Sequence, residues 1–575
     1  MKKKSTVRNH VSGVEHGKAM KDYRRKKEAK QASLDNFREY SDLLGGSYGS
    51  KLPPKEQATQ FMAVEACLSA GVPLNAFENS LMKDFLHHLG ARLPGARHLA
   101  NYIPFIEKKE KQRILDEVGD SRYAITFDET PYRAACFGIG IRFANKEGQI
   151  TQRVLNLSML SKSMDFKAIH GEVMKITVDE YKIDRSKCVG FMLDGCGANM
   201  KALDTLLLNF PNAVGVRCFS HLLNNCGNEL SSEETDKFAG HLHVLLAHSH
   251  NARDLWLQET KVSPPKPVSH RWSSRYVRNN ALVLNWQQMK TFVDKFTSTE
   301  ESRSKSAAAM REELGRVRPD GVHQELILQL GFAVAVDVGI HLVRPTHLLE
   351  GDGFLLPEAY DAIVSVRKGL ALTLDSNVPP RFEDKVNMPN VKALVREYSN
   401  SVNANESVKK WLREKALFDM HAVRQYAFDR IGDHPGAKER NAIRVFKAAR
   451  ILNFTVVKGH GVEESDVHVL AEVFPFVTTA MVHELVVEKD LYSTAAAGTD
   501  SGCDLWAFWH DNRLKLPAWY NVAKDVALIQ PSSAFMERVF SLLRACMDER
   551  QEQCLSDRIT ASTLLKYNRA SSGRS

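Results

Sequence analysis

"PSSAFMERVFSLLRAC", residues 531–546, is the stretch on which the reading of the whole chain turns. At about 100° per residue, Phe535, Val539, Leu542 and Cys546 form one apolar row, which Met536, Phe540, Leu543 and Met547 widen. A helix with so broad an apolar face is mostly buried, and its polar remainder is a narrow stripe of Glu537, Ser541, Arg544 and Asp548. A glutamate in that setting needs a reason. A capping box would supply one, but it requires Ser or Thr three residues earlier, and that position is Ala534. A plain solvated stripe of Glu537, Ser541 and Arg544 remains open, and only the rest of the chain can give the glutamate a task.

At 575 residues, 43% hydrophobic and 26% charged, the composition is that of a soluble globular protein with two to four domains. The net charge is +9, but residues 1–30 alone hold eleven Lys/Arg against three Asp/Glu, a local +8. Nearly all the basic excess therefore lies in an N-terminal arm. Such an arm suits a polyanion through sequence-independent phosphate contacts, and equally suits a solubilising tail carrying a nuclear-import patch in "RRKK", residues 24–27. Nine cysteines without a C-x-x-C pair, and no N-terminal signal pattern, argue for a reducing compartment. The longest apolar run, "LILQLGFAVAVDVGIHLV" at 326–343, contains Gln329, Asp337 and His341 and reads as a buried helix, not a membrane span.

Along the chain, 57–89 predicts two helices around a Gly-Val-Pro turn, with more helix at 104–118, so residues 51–120 are expected to form a helical N-terminal domain. The period then changes. "RYAITFDET" (122–130), "RAACFGIGIRF" (133–143) and "ITQRVLNLSML" (150–160) predict a meander, followed by helix near 166–181, the strand "CVGFMLD" (188–194), a helix and the strand "AVGVRCF" (213–219). Three hairpin-linked strands followed by alternating helices and strands match a ribonuclease-H-like sheet, here placed at 121–275. Residues 276–500 predict an all-α insertion, and 501–575 a compact tail that completes the core. The expected fold is thus an α/β core interrupted by a large helical insertion.

Asp128 and Asp194 each close a strand apolar enough to lie mid-sheet, where an uncompensated carboxylate costs several kcal/mol, of order. Helix capping by Asp194 in "DGCGAN", or a turn at Asp128 in "FDET", accounts for each one alone. Neither accounts for two aspartates plus a glutamate from a distant helix. Three carboxylates suit two Mg²⁺ (or Mn²⁺) ions serving phosphodiester chemistry.

The motifs resemble those of the hAT superfamily of DNA transposases. "PSSAFMERVFS" is similar to that family's Pro-x-Ser-Ser-x-x-x-Glu-Arg-x-Phe-Ser signature, and the resemblance makes Glu537 the third member of a DDE triad with Asp128 and Asp194, all three holding Mg²⁺. In "RCFSHLLNN", Cys218, His221 and Asn224 occupy the family's Cys-x-x-His-x-x-Asn positions and are expected to support the active site. In "SHRWSSRY", Arg271 and Trp272 match an Arg-Trp element, whose tryptophan is expected to stack on a base flipped out of the DNA. The flanks of the signature resemble a C-terminal dimerisation region. The resemblance implies a nuclear protein that binds DNA, cleaves its ends, transfers strands and forms a homodimer or higher homo-oligomer. A domesticated, catalytically silent DNA-binding and dimerisation protein is the alternative.

The arm also resembles half of a BED-type zinc finger, with His10 and His16 at H-x5-H spacing, and 57–118 resembles the CGG-repeat-binding protein, a hAT relative. With the cysteine pair missing, a tetrahedral zinc site does not close, and Cys218 with His221 lacks a second pair. No zinc is expected.

Overall fold

The computed structural model describes residues 53–131, 135–230, 232–265, 272–298, 304–319, 321–372, 387–401, 404–545 and 556–570. The basic arm with His10 and His16, together with Arg271, lies outside them. The described chain is mostly helical around one mixed sheet.

The sheet has strands β1 (Tyr123–Thr130), β2 (Ala135–Ala144), β3 (Ile150–Leu160), β4 (Cys188–Leu193) and β5 (Val214–Arg217), in the order β3-β2-β1-β4-β5. The first three form an antiparallel meander, and β4 and β5 run parallel to β1. Strand alternation sorts the side chains. Ile125, Phe127, Phe137, Ile139, Ile141, Phe191 and Leu193 fill one face and pack under α2 (Ile103–Val118), α3 (Phe166–Met174) and α4 (Gly197–Asn209). The opposite face carries Ala124, Thr126 and Asp128 on β1, Gly138 and Gly140 on β2, and Gly190 and Met192 on β4. It is a shallow surface flanked by the rest of the molecule.

Next along the chain come α5 (Phe219–Asn228), α6 (Trp272–Leu284), α7 (Gln324–Leu349) and α8 (Pro389–Ser399). Between residues 272 and 498 the described elements are helices, apart from one isolated bridge joining Val317 and His323. α7 covers the apolar run at 326–343. It is long and apolar enough to cross a membrane, but most of it is covered by protein, as the buried-helix reading expected. Its Asp337 accepts the Asn390 and Val391 backbone N–H groups at 3.1 and 3.0 Å and the Asn390 amide at 2.6 Å. The acid inside this apolar helix therefore caps the first turn of α8, where the N–H groups have no helical partner.

The C-terminal part supplies α9 (Pro517–Ala527), α10 (Ala534–Ala545) and α11 (Ser556–Ala570). α10 lies on the shallow face because two glycines leave room for it. A Cβ on Gly138 would run into Met536, Phe540 and Leu157, and one on Gly140 would enter the Phe535 ring. Gly190 admits Ile529 in the same way. α11 closes the outer edge of the sheet, its Asn568 both accepting from the Val154 N–H (2.8 Å) and donating to its carbonyl (3.1 Å), which protects β3 from pairing with another chain. Ala561 and Leu565 of the same helix join Phe61, Leu68 and Tyr102 in a small core with α1 (Pro54–Ala70). The N-terminal helices are thus tied to the sheet by the end of the chain.

Candidate functional site

Phe127 of β1 pairs with Leu193 of β4 in parallel register. Asp128, on β1, and Asp194, the residue that follows β4, each come one position after this pair, and both line the same cavity. Asp128 was expected to end its strand, but β1 runs on to Thr130. Capping does not explain Asp194, since α4 begins at Gly197 with Cys196 at its N-cap. One oxygen of each aspartate accepts the N–H of the next residue, Glu129 at 2.9 Å and Gly195 at 2.6 Å. Gly195 leaves room for the Arg217 guanidinium, which a Cβ there would displace.

Glu537 is brought to the same cavity because two distant motifs lock together. The Phe219 N–H donates to the Pro531 carbonyl (2.9 Å), the Ser533 N–H to Cys218 Sγ (3.2 Å), and the Ser532 hydroxyl to the Leu349 carbonyl (2.8 Å). Ser532 and Ser533 are buried, so the Pro-Ser-Ser segment serves as a plug whose polar groups all need these partners. Arg538, the next residue after Glu537, donates to the Glu350 carbonyl at 3.0 Å and pairs with Asp352. At the far end of α10, Arg544 donates to Thr130 Oγ1 at 2.8 Å.

Cys218, His221 and Asn224 have three different tasks. Cys218 is the N-cap of α5 and receives the signature. His221 lies 3.2 Å from Cys218 Sγ and 3.6 Å from Glu537 Oε1. Asn224 accepts the Trp272 N–H at 2.6 Å and so caps α6. Burial works against a charge on His221, but its hydrogen bond to Cys218 and the nearby Cys218, Asp194 and Asp128 outweigh that and carry it to about 9. Burial likewise pushes the Cys218 thiol up, and the bonds from His221 and Ser533 bring it below the ordinary thiol value. For Asp128, burial is the main cause of a rise to about 7. Asp194 and Glu129 add to the rise, while His221 and the Glu129 N–H oppose it.

Asp128, Asp194, His221, Asn224, Trp272 and Glu537 all border one cavity of about 510 Å³, with Ser220, Glu350 and Arg544 among its other walls. A larger cavity, about 770 Å³, lies at the opposite end of β1. There Arg122 is already paired with Asp525 at 2.6 Å. The smaller cavity gathers the carboxylates, and we take it as the candidate site.

Trp272 is 3% exposed and fits a slot between two helices, where a Cβ on Gly227 or on Gly339 would meet its ring. That packing covers the ring faces, so the stacking role expected from the resemblance would require the ring to leave its slot. The signals missed in the sequence were the alternating glycines of "FGIGIRF" and the paired slot glycines, which lie far apart in the chain.

Three carboxylates are the hard oxygen donors that Mg²⁺ takes. The donor set fits such an ion. The spacing is open: among the described residues no group of three His, Cys, Asp or Glu side chains stands close enough to chelate one.

Among known proteins, residues 484–568 match the family model of the hAT family C-terminal dimerisation region. The match takes in α9, α10 with Glu537, and nearly all of α11. Over these residues the chain is similar to the C-terminal dimerisation region of hAT-family proteins, and the match supports self-association. No curated protein matches the chain.

Proposed function

We propose that this is a hAT-type DDE transposase or a close derivative, in which a ribonuclease-H-like core interrupted by a helical insertion cleaves DNA ends and joins the 3′-hydroxyl to a target strand. The observation that carries the reading is the convergence of Asp128, Asp194 and Glu537, from β1, the end of β4 and α10, on one cavity. The strand order β3-β2-β1-β4-β5 supports it, as does the match over residues 484–568. Asp128, Asp194 and Glu537 would hold Mg²⁺ or Mn²⁺, which when bound supplies Lewis-acid stabilisation of phosphodiester oxygens. His221 orients Glu537 and offsets part of the acidic charge. The basic arm would add salt-sensitive contacts to DNA and direct the protein to the nucleus.

The test is metal-dependent nicking and strand transfer on DNA carrying the element's own terminal inverted repeats, with wild type beside Glu537→Gln. Activity in the wild type that disappears in the variant is expected. If both bind that DNA and neither cuts it, the reading fails. Two observations favour the silent DNA-binding and dimerisation protein as the second reading: the open spacing of the carboxylates and the covered ring of Trp272.

A further inference from the structure

Ser220 is the second residue of α5, a ten-residue helix whose first turn abuts the carboxylate cavity. Its side chain is 2% exposed, it lines that cavity, and its hydroxyl has no hydrogen-bond partner. A buried hydroxyl left in this state is disfavoured and points to a partner that binds there. The neighbouring backbone adds to the demand. The Phe219 N–H is taken by the Pro531 carbonyl, whereas Ser220 and His221 are at positions whose N–H groups have no carbonyl one turn earlier in the helix. Helix N-termini carry partial positive charge and accept oxyanions.

We infer that Ser220 and the first turn of α5 form a seat for one phosphate oxyanion, the hydroxyl and the helix N–H groups donating to its oxygens. The chemistry of the seat stands on its own. Only the assignment of that phosphate to a DNA strand being processed rests on the proposed function. The acids that line the same cavity, Asp128, Asp194 and Glu537, tell against free carboxylate ligands and in favour of an anion brought in with a divalent cation, which phosphates commonly are.

The experiment uses the full chain in magnesium-containing buffer and three probes: a short single-stranded oligonucleotide with a 5′-phosphate, the same oligonucleotide without it, and inorganic phosphate. Wild type should prefer the phosphorylated strand, and Ser220→Ala should reduce that preference about tenfold. Ser541→Ala, on an exposed side chain at the same cavity, should leave it unchanged. Thermal unfolding separates binding from structure, because removing a hydroxyl with no partner should leave Tm the same or higher. Should Ser220→Ala fold poorly, Ser220→Cys keeps the volume and weakens the hydrogen bond, and the same fall is expected. Competition by inorganic phosphate assigns the seat to the anion itself; competition by the phosphorylated strand alone assigns it to a strand terminus. The inference is overturned if wild type shows no preference for phosphate, or if Ser220→Ala retains it, as it would if a water satisfied the hydroxyl. Because binding is read without cutting, a chain that never nicks DNA sinks the transposase reading and leaves this test intact.

Discussion

The two faces of the sheet follow opposite rules. Under α2, α3 and α4 the strands present Phe127, Phe137, Phe191 and their aliphatic neighbours, and the face is held by volume and burial. Toward α10 the strands present Gly138, Gly140, Gly190 and Ala124, and the face is held by close approach and by specific hydrogen bonds between remote motifs. Large side chains make the first face tolerant of small shifts and sensitive to loss of volume. Small ones make the second face sensitive to any added atom, and leave room for two carboxylates where a core would otherwise fill in.

The largest effect expected belongs to the first face. Phe191 is fully buried, with Phe127 and Phe210 packed against it at ring-centroid distances of 6.4 and 5.1 Å. Phe191→Ala should cost about 3–5 kcal/mol in urea unfolding. Whatever DNA binding and cutting the wild type has should survive below the new transition, since no site residue loses a partner. Loss of activity well below the melting point would show that the two faces are not separable.

On the second face the next largest effect is electrostatic. Asp128 has a folded value of about 7 against an ordinary carboxylate value near 3.8. Its ionisation is thus penalised by folding: the folded state holds the proton where the unfolded state has released it. The contribution is present in full below about pH 4 and is lost as pH rises through 7. Asp128→Asn should remove this slope and stabilise the protein at pH 7 to 8 by on the order of 2–4 kcal/mol. Asp525, raised to about 6 chiefly by burial, gives a slope of the same sign in both proteins. It therefore drops out of the comparison. His221 gives a slope of the same sign at higher pH, its raised value adding stability that is lost as pH rises through about 9. Equal stability of wild type and Asp128→Asn across pH 4 to 8 would mean that the carboxylate is already compensated.

Gly140→Ala tests the close approach directly. The added methyl meets the Phe535 ring, a rigid group that cannot fold away, and should cost about 1–3 kcal/mol. Its effect on cutting should exceed its effect on stability, because displacing Phe535 displaces Glu537 two residues on. Gly138→Ala, opposed mainly by the flexible end of Met536, should be milder on both measures. If the two alanines behave alike, the glycines are not what sets the height of α10.

Much of this was legible beforehand, for reasons that differ by residue. Alternation in 122–160 and the apolar strand at 188–194 are local patterns, and they gave the meander and β4 to within a few residues. The apolar face of α10 was also local, and Phe535, Met536, Val539, Phe540 and Leu543 are all buried. Glu537 was singled out because nothing in its own helix explained it. What could not be read was any relation created by folding. The Ser533–Cys218 bond spans 315 residues, and the slot for Trp272 is made by Gly227 and Gly339, neither of which is unusual within its own helix. Asp337 looked like a blemish in an apolar run until α8 supplied the N–H groups it binds.

The smallest effect bears on how α10 is aimed. Arg544 is exposed, and its bond to Thr130 joins the last described turn of the helix to the end of β1, two residues beyond Asp128. The acceptor Thr130 is buried but the donor Arg544 is exposed, so the donor can turn to water when the bond is lost, and Thr130→Val, which keeps the shape and removes the acceptor, should cost only about 0.5–1.5 kcal/mol. Its mechanical role is larger than that figure. Near its start, α10 is pinned by the buried Pro-Ser-Ser plug and by Arg538, and at its far end by Thr130, so loss of the second pin lets the helix pivot about the first. Glu537 lies close to the pivot and should move little. Thr130→Val should therefore leave cutting within about threefold of wild type, by the same order-of-magnitude bond energy. Replacement of Cys218 by Ala, which strands the buried Ser533 N–H at the pivot itself, should lower cutting far more. Equal losses from the two variants would place the pivot in the middle of α10, and the small-residue face would then hold the helix by its whole length.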